Sequence, residues 1–300
     1  MPAPNNYLVF LCYGNERVFR ECTYALLSLS RLYQTGLPDN LEIWIYTDNQ
    51  DWFRSFKENP LPLHYRQADK ETIKGWRGKI DFVHRVKVEV LKDFTKDKNG
   101  NILYVDTDIV FTHPIDKMLA DINNDALYMH TLEGRVSDGS NPIFRKLNRF
   151  LGDERKIGDK QLNNMAMWNA GVLGFNTKHK ELLDKVLKFT DEEYAKFPKH
   201  IMEQFAFSVY FQVTAEVKAA APYIFHYWKL KEADHILKSF FGYFKNGNWA
   251  DLAHYSSLVQ MHALMQIKVD FLHNRSLTDS ILHKQWVPAK PDWAVLINQL

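Results

Sequence analysis

The sequence has little of what would announce a specialised fold. Only 2 cysteines occur in 300 residues, Cys12 and Cys22. That is too few for a disulfide framework, and the spacing is not that of a metal-thiolate site, so a reducing cytoplasm is the expected compartment. Glycine and proline number 13 and 11, with no repeat or low-complexity stretch, which excludes fibrous, solenoid and disordered architectures. Neither sign of charge dominates. The 38 Lys and Arg against 36 Asp and Glu leave a net +2, so no overall field selects nucleic acid or acidic lipid, and a bound polyanion must be gripped locally. Apolar runs such as Tyr7 to Tyr13 fall far short of the about 18 residues a membrane-spanning helix needs. The opening Met-Pro-Ala-Pro-Asn-Asn has neither a basic region nor a cleavage site, so export is not expected.

What is present, 46% hydrophobic and 25% charged residues, suffices to bury one large core. Tyr7 to Tyr13 (YLVFLCY) reads as a buried central strand broken by Gly14-Asn15. Leu26, Leu29 and Leu32 mark a helix over Phe19 to Leu32 that closes at Gly36. A second strand follows at Leu41 to Tyr46, ending in Thr47-Asp48-Asn49. This alternation predicts an α/β protein with a mostly parallel sheet between helices, whose ligands bind outside the carboxyl ends of the strands. Phe82, Val83, Val86, Val90 and Leu91 predict a helix over Ile80 to Phe94, and Ile102 to Val105 a strand running into Asp106-Thr107-Asp108. Between Asp116 and Gln161 the polar pattern, interrupted by Gly134, Gly139 and Pro142, suggests loops and short helices over a site. Sheet character returns at Ala170 to Phe175. Helices follow near Lys180 to Phe197 and Glu203 to Gln212, a last strand near Tyr223 to Phe225, and beyond His226 the chain reads as helical.

Two carboxylates two residues apart at a strand's end can converge on one hard cation. Asp106 and Asp108 lie inside an apolar run, where an acidic pair is costly without a cation or partners. A Mg²⁺ or Mn²⁺ so held would neutralise a diphosphate as it leaves. The alternative is that the pair only caps and turns the strand.

The segment LYVDTDIVF resembles the strand and acidic core of GT-A (Rossmann-like) glycosyltransferases, especially family eight, the glycogenin and bacterial galactosyltransferase group. Trp168 to Asn176 (WNAGVLGFN) is similar to that family's Asn-Ala-Gly-Val strand, and Glu203-Gln204 resembles its Asp-Gln pair. The resemblance covers residues 7 to 228. It implies a catalytic domain over 1–228 with a helical C-terminal extension over 229–300 packed on it. It also implies transfer of a sugar from a nucleotide diphosphate donor, a UDP-sugar, to an acceptor hydroxyl, with retention of configuration.

Carried over residue by residue, the resemblance makes Asp106 and Asp108 metal ligands, with Asp106 and Thr107 also facing the donor. His226 would be the third ligand. Here the chain departs from the family: its histidine is usually followed by a Gly and a Lys-Pro-Trp group, whereas Tyr227-Trp228-Lys229 follows His226. An ordinary loop histidine is the alternative. Tyr13, Gly14 and Asn15 would take the base and ribose with Asp48, unless the loop is only a strand-to-helix turn. Lys79 or Arg85 would grip donor phosphate or the acidic pair, solvated surface charge being the alternative. Asn169 would hydrogen-bond sugar hydroxyls, Gly171 would serve packing, and Gln204 would sit near the anomeric carbon. Glu203 is the candidate base if the enzyme inverts.

His235, His254, His262, His273 and His283 show no ligand pairing and read as surface or packing residues. Leu252, Tyr255, Leu258, Val259, His262 and Met265 read as one helical stripe facing the core, with peripheral membrane association the alternative. Trp76, Trp168, Trp228 and Trp249 are candidates to stack on sugar rings. The acceptor, a glycan, a lipid-linked sugar or a protein, is not identified by the sequence. Two rival functions differ in class. A sugar-phosphate nucleotidyltransferase needs a Gly-rich basic signature near the N-terminus, and Tyr7 to Arg20 contains a single Gly. A non-catalytic sugar- or nucleotide-binding protein would draw its support from the departure after His226.

Overall fold

The computed structural model describes residues 4–38, 40–275 and 286–299, so Met1 to Ala3 and His283 lie outside the described residues. Its strands are β1 (Asn6–Cys12), β2 (Leu41–Thr47), β3 (Leu63–Gln67), β4 (Asn101–Val105), β5 (Ile109–Phe111), β6 (Leu127–Met129), β7 (Leu132–Arg135), β8 (Lys156–Ile157), β9 (Lys160–Gln161), β10 (Ala166–Trp168), β11 (Val172–Asn176), β12 (Val217–Ala219) and β13 (Ile224–His226). The helices are α1 (Glu16–Leu32), α2 (Gln50–Arg54), α3 (Lys70–Trp76), α4 (Arg85–Phe94), α5 (Asp116–Asn123), α6 (Pro142–Leu151), α7 (Glu181–Tyr194), α8 (Met202–Thr214), α9 (Ala233–Tyr243), α10 (Trp249–Tyr255), α11 (Met261–Asn274) and α12 (Trp293–Ile297).

Seven strands form one sheet in the order β12-β6-β11-β4-β1-β2-β3. All run parallel except β11, which opposes both neighbours. Alternation along each strand divides the core. Leu8, Phe10, Leu103 and Val105 pack under α1, α5, α9 and α10, whereas Tyr7, Val9, Ile102 and Tyr104 pack under α4, α7 and α8. Burial on both faces is why β1 and β4 read as unbroken apolar runs.

Two expectations change. The helix expected from Ile80 begins at Arg85, because Gly78 and Asp81 take left-handed backbone, with φ of 65° and 49°. Val83, counted in the apolar stripe, is exposed. The single stripe beyond residue 250 is two helices. Ser256 and Ser257 donate their hydroxyls back to the carbonyls of Ala253 and His254, and the chain leaves helical geometry before α11. Leu252 and Val259 are buried, while α11 turns Ile267, Val269 and Leu272 to solvent. Among the described residues no helix is long and apolar enough to cross a membrane.

Candidate active site

Two strand ladders bring the sequence motifs together. β11 opposes β4 with Val172 facing Val105, so Gly171 lies beside Asp106 and accepts its backbone N–H at 2.8 Å. β13 opposes β5 with His226 facing Ile109, and the Tyr227 N–H donates to the Asp108 carbonyl at 2.9 Å. Residues 106, 169 and 226 therefore meet at the carboxyl end of β4. The ligand atoms of Asp106, Asp108 and His226 all lie within 4.8 Å of one another.

The hydrogen bonds fix the protonation of the imidazole. The Gly171 N–H donates to Asn169 Oδ1 at 3.0 Å, and Asn169 Nδ2 donates to Glu133 Oε1 at 3.2 Å. The amide is thus oriented unambiguously, and His226 Nδ1, 3.0 Å from the same Oδ1, must carry the proton. A neutral His226 then turns the Nε2 lone pair toward Asp108 Oδ1 at 3.0 Å and Asp106 Oδ2 at 3.9 Å. Lone pairs facing one another at such range call for a proton or a cation between them. Burial acts to raise the Asp108 carboxyl, but when a proton rather than a cation fills the gap the imidazolium of His226, with Lys231, outweighs burial and holds the group at about 2. The approach of imidazole to backbone requires glycine at 171, since a Cβ there would stand 2.1 Å from His226 Cε1.

Lys87 supplies the buried counter-charge. Its ammonium donates to the Ala170 carbonyl at 2.7 Å and lies 3.2 Å from Asp106 and 3.7 Å from Glu203. Burial disfavours this cation, yet Asp106 and Glu203 outweigh burial and hold the ammonium above its ordinary value. Glu203 is 2% exposed. Burial pushes its carboxyl up to about 7, with Lys87 opposing and Asp106 adding to the rise.

These groups line a cleft of about 650 Å³, together with Gln204, Trp228, Lys229 and Lys231. The Lys231 ammonium stands 3.9 Å from Asp108 Oδ2, and that of Lys229 lies 5.2 Å from the centre of the Trp228 ring. Gln204 is registered by a polar stripe on α8. Ser208 Oγ accepts the Trp168 N–H, and Gln212 both accepts from the Ala166 N–H and donates to the Ala166 carbonyl, so β10 is paired by helix side chains. Gln204 Nε2 in turn donates to Glu133 Oε2 at 2.9 Å.

Several expected residues sit elsewhere. Arg85 does not reach the acidic pair. Its guanidinium binds Asp191 through two nitrogens, Glu89 and the Trp76 carbonyl, tying α4 to α7. Lys79 is exposed and outside the cleft lining, with no ion pair among the described residues. Thr107 is buried behind the loop. Asn15 caps α1 by accepting the Val18 N–H, and Asp48 accepts the Gly14 N–H at 3.1 Å. Tyr13, Gly14 and Asp48 thus lie on the same sheet edge as Asp106 but not in the cleft lining. Of the four tryptophans only Trp228 lines the cleft, and Trp249 is buried with its Nε1–H on Ser30. His235, His254, His262 and His273 are exposed, His262 stacking on Phe225.

The sequence reading missed Lys87, Glu133 and Lys231. Lys87 had a signal: it shares a helix face with apolar Val90 and Leu91, three and four residues on, where a lysine is out of place unless paired. Glu133, in a Leu-Glu-Gly-Arg stretch read as loop, had none.

No protein-family model matches the chain, and no curated protein does. Solved structures that align with it include the galactosyltransferase LgtC in complex with donor and acceptor sugar analogs, at 13% identity and TM-score 0.46 over 68% of this chain and 70% of that one. Mouse xyloside xylosyltransferase 1 aligns at 13% identity and TM-score 0.46 over 72% and 85%. The glycosyltransferase GlyE of Streptococcus pneumoniae TIGR4 aligns at 14% and TM-score 0.43, over 99% of this chain and 63% of that one.

Proposed function

We propose that this chain is a metal-dependent glycosyltransferase that moves a sugar from a UDP-sugar to an acceptor hydroxyl with retention at the anomeric carbon. The observation that carries the reading is the convergence of Asp106, Asp108 and His226, with Asn169 fixing the imidazole so that Nε2 faces the two carboxylates. Two carboxylates and one imidazole fit a divalent cation, and the nitrogen ligand favours Mn²⁺ over Mg²⁺, which prefers an all-oxygen shell. When bound, the ion would neutralise charge on the departing diphosphate.

The chain's own groups supply the rest. Lys229 and Lys231 stand where they can grip the diphosphate, which answers the departure from the family pattern after His226. Tyr13, Gly14 and Asp48, at the carboxyl ends of β1 and β2, are placed to receive the nucleoside beside the metal group. Three of the four carboxylates in the cleft are engaged, Asp106 and Asp108 with the cationic cluster and Glu133 with two amides. The fourth, Glu203, lies 3.7 Å from the Lys87 ammonium and is only 2% exposed, so burial sets it back from an acceptor whose proton inversion would have it take. In retention the bond from the anomeric carbon to diphosphate breaks as the acceptor oxygen bonds on the same face, and the hydroxyl proton passes to the departing phosphate oxygen.

The test is calorimetric titration of UDP into the protein, with Mn²⁺ and with excess chelator, for wild type and Asp108→Ala. Metal-dependent binding that the substitution abolishes supports the reading, and turnover of UDP-sugars with the product anomer assigned by NMR completes it. No binding of UDP, GDP or CDP in any condition sinks it.

A further inference from the structure

Glu133 occupies a position that neither the metal group nor the sugar reading accounts for. It is half-buried on β7, and its two carboxylate oxygens divide their work between two elements. Oε1 accepts from Asn169 Nδ2 at 3.2 Å and Oε2 from Gln204 Nε2 at 2.9 Å. The Asn169 end is continuous with the imidazole, because the same amide receives the Gly171 N–H and the His226 Nδ1–H on Oδ1. The Gln204 end lines the cleft. A carboxylate accepts and never donates, so it can be satisfied here only if both amides present nitrogen to it. That requirement sets two orientations at once: Asn169 Oδ1 toward His226, and Gln204 Oε1 away from Glu133.

We propose that Glu133 is a positioning residue that couples the metal-binding half of the cleft to the half that faces the sugar. This inference rests on the glycosyl-transfer reading for its catalytic part and on the chain's own hydrogen bonds for its metal part. Through Asn169 it keeps the proton on His226 Nδ1 and leaves Nε2 free for a cation. Through Gln204 it presents a carbonyl oxygen, an acceptor only, to whatever occupies the cleft. The group recognised there is a hydroxyl donor or a centre of developing positive charge, such as a glycosyl carbon losing its leaving group.

The test uses Glu133→Gln, which keeps size but places an NH₂ against one of the two amide nitrogens, and Glu133→Asp, one methylene too short to reach both. Mn²⁺ affinity is read by the loss of the free-ion paramagnetic resonance signal. Disturbing the outer support of a metal ligand typically costs about 10–100-fold in affinity; acting one residue further out, Glu133→Gln is expected to weaken Mn²⁺ by about 3–10-fold. In an Asn169→Ala background the same change is expected to cost less than about twofold, because its route to His226 is gone. With a UDP-sugar, kcat falls by about 10–100-fold while KM stays within about threefold, and the fall vanishes in a Gln204→Ala background. A purely structural residue would add its cost unchanged in both backgrounds, and that additivity overturns the proposal, as does unaltered Mn²⁺ affinity in both folded Glu133 variants. A wild-type chain that binds Mn²⁺ normally but turns over no nucleotide sugar refutes glycosyl transfer alone, and the Mn²⁺ cycle still decides the role of Glu133.

Discussion

Replacing Gly171 with alanine is the sharpest perturbation of this site, because the added group meets the imidazole and not a flexible side-chain end. The new Cβ would lie 2.1 Å from His226 Cε1 and 2.2 Å from Nδ1, about 1.3 Å short of ordinary contact, which begins near 3.4 Å. The ring cannot yield by that much and keep both 3.0 Å contacts, to Asn169 Oδ1 and to Asp108 Oδ1. Overpacking of this kind costs about 1–3 kcal/mol of stability. The loss in Mn²⁺ affinity should be larger, at least about 100-fold, since a ligand itself is displaced and not only its support. Gly174→Ala is the control. Its Cβ would press on Ile122 Cδ1 at 2.8 Å and Tyr128 Cβ at 2.9 Å, giving a comparable stability cost with Mn²⁺ binding intact. Thermal unfolding and paramagnetic-resonance titration of both variants read the two quantities separately. A folded Gly171→Ala protein that binds Mn²⁺ as tightly as wild type would refute the assignment of His226 as a ligand and the geometry built on it.

Three further outcomes follow from the buried charges. Lys87→Met strands the Asp106 carboxylate without its buried cation and should cost about 3–5 kcal/mol, measured by denaturant unfolding. Glu203, held at about 7 against an ordinary 4.5, keeps a proton in the folded chain that the unfolded chain releases. Its contribution to stability is therefore present at low pH and lost as pH rises from about 4.5 to 7; Glu203→Gln should flatten that decline in the metal-free protein by on the order of 2–3 kcal/mol between about pH 5 and pH 8. Arg85→Ala should lower stability by about 2–4 kcal/mol through the lost ties to Asp191, Glu89 and the Trp76 carbonyl, while Mn²⁺ and UDP affinities stay unchanged in calorimetry. A fall in UDP affinity would restore Arg85 to the donor site.

The central strands and the acidic pair were legible because burial on both faces leaves an unbroken apolar signature, and because Asp106 and Asp108 interrupt one. The strand and glycine around Asn169 were legible for the same reason. Arg85 was misread because charge on an amphipathic helix says nothing of which neighbouring helix it meets. Lys231 was invisible because it lies in an irregular segment, and Glu133 because it lies on a short strand, β7, with no apolar alternation; the partners of both are set by strand pairing far along the chain. The antiparallel ladders of β11 on β4 and β13 on β5 are long-range facts, and they alone place residues 106, 169 and 226 together. Helix limits failed where local chemistry overrode periodicity, at the left-handed turn before Arg85 and at the serines after α10.

The polar stripe on α8 has a consequence beyond placing Gln204. β10 belongs to a two-stranded sheet with β7, and a short ribbon of that kind ordinarily leaves one edge of unpaired backbone groups open to an incoming chain. Here the helix itself closes that edge, with Ser208 and Gln212 answering the N–H and carbonyl groups of Ala166 and Trp168. Helix side chains thus replace the strand that is missing. A change at Ser208 or Gln212 would therefore show first as a tendency of the protein to self-associate through β10, before any loss of chemistry in the cleft.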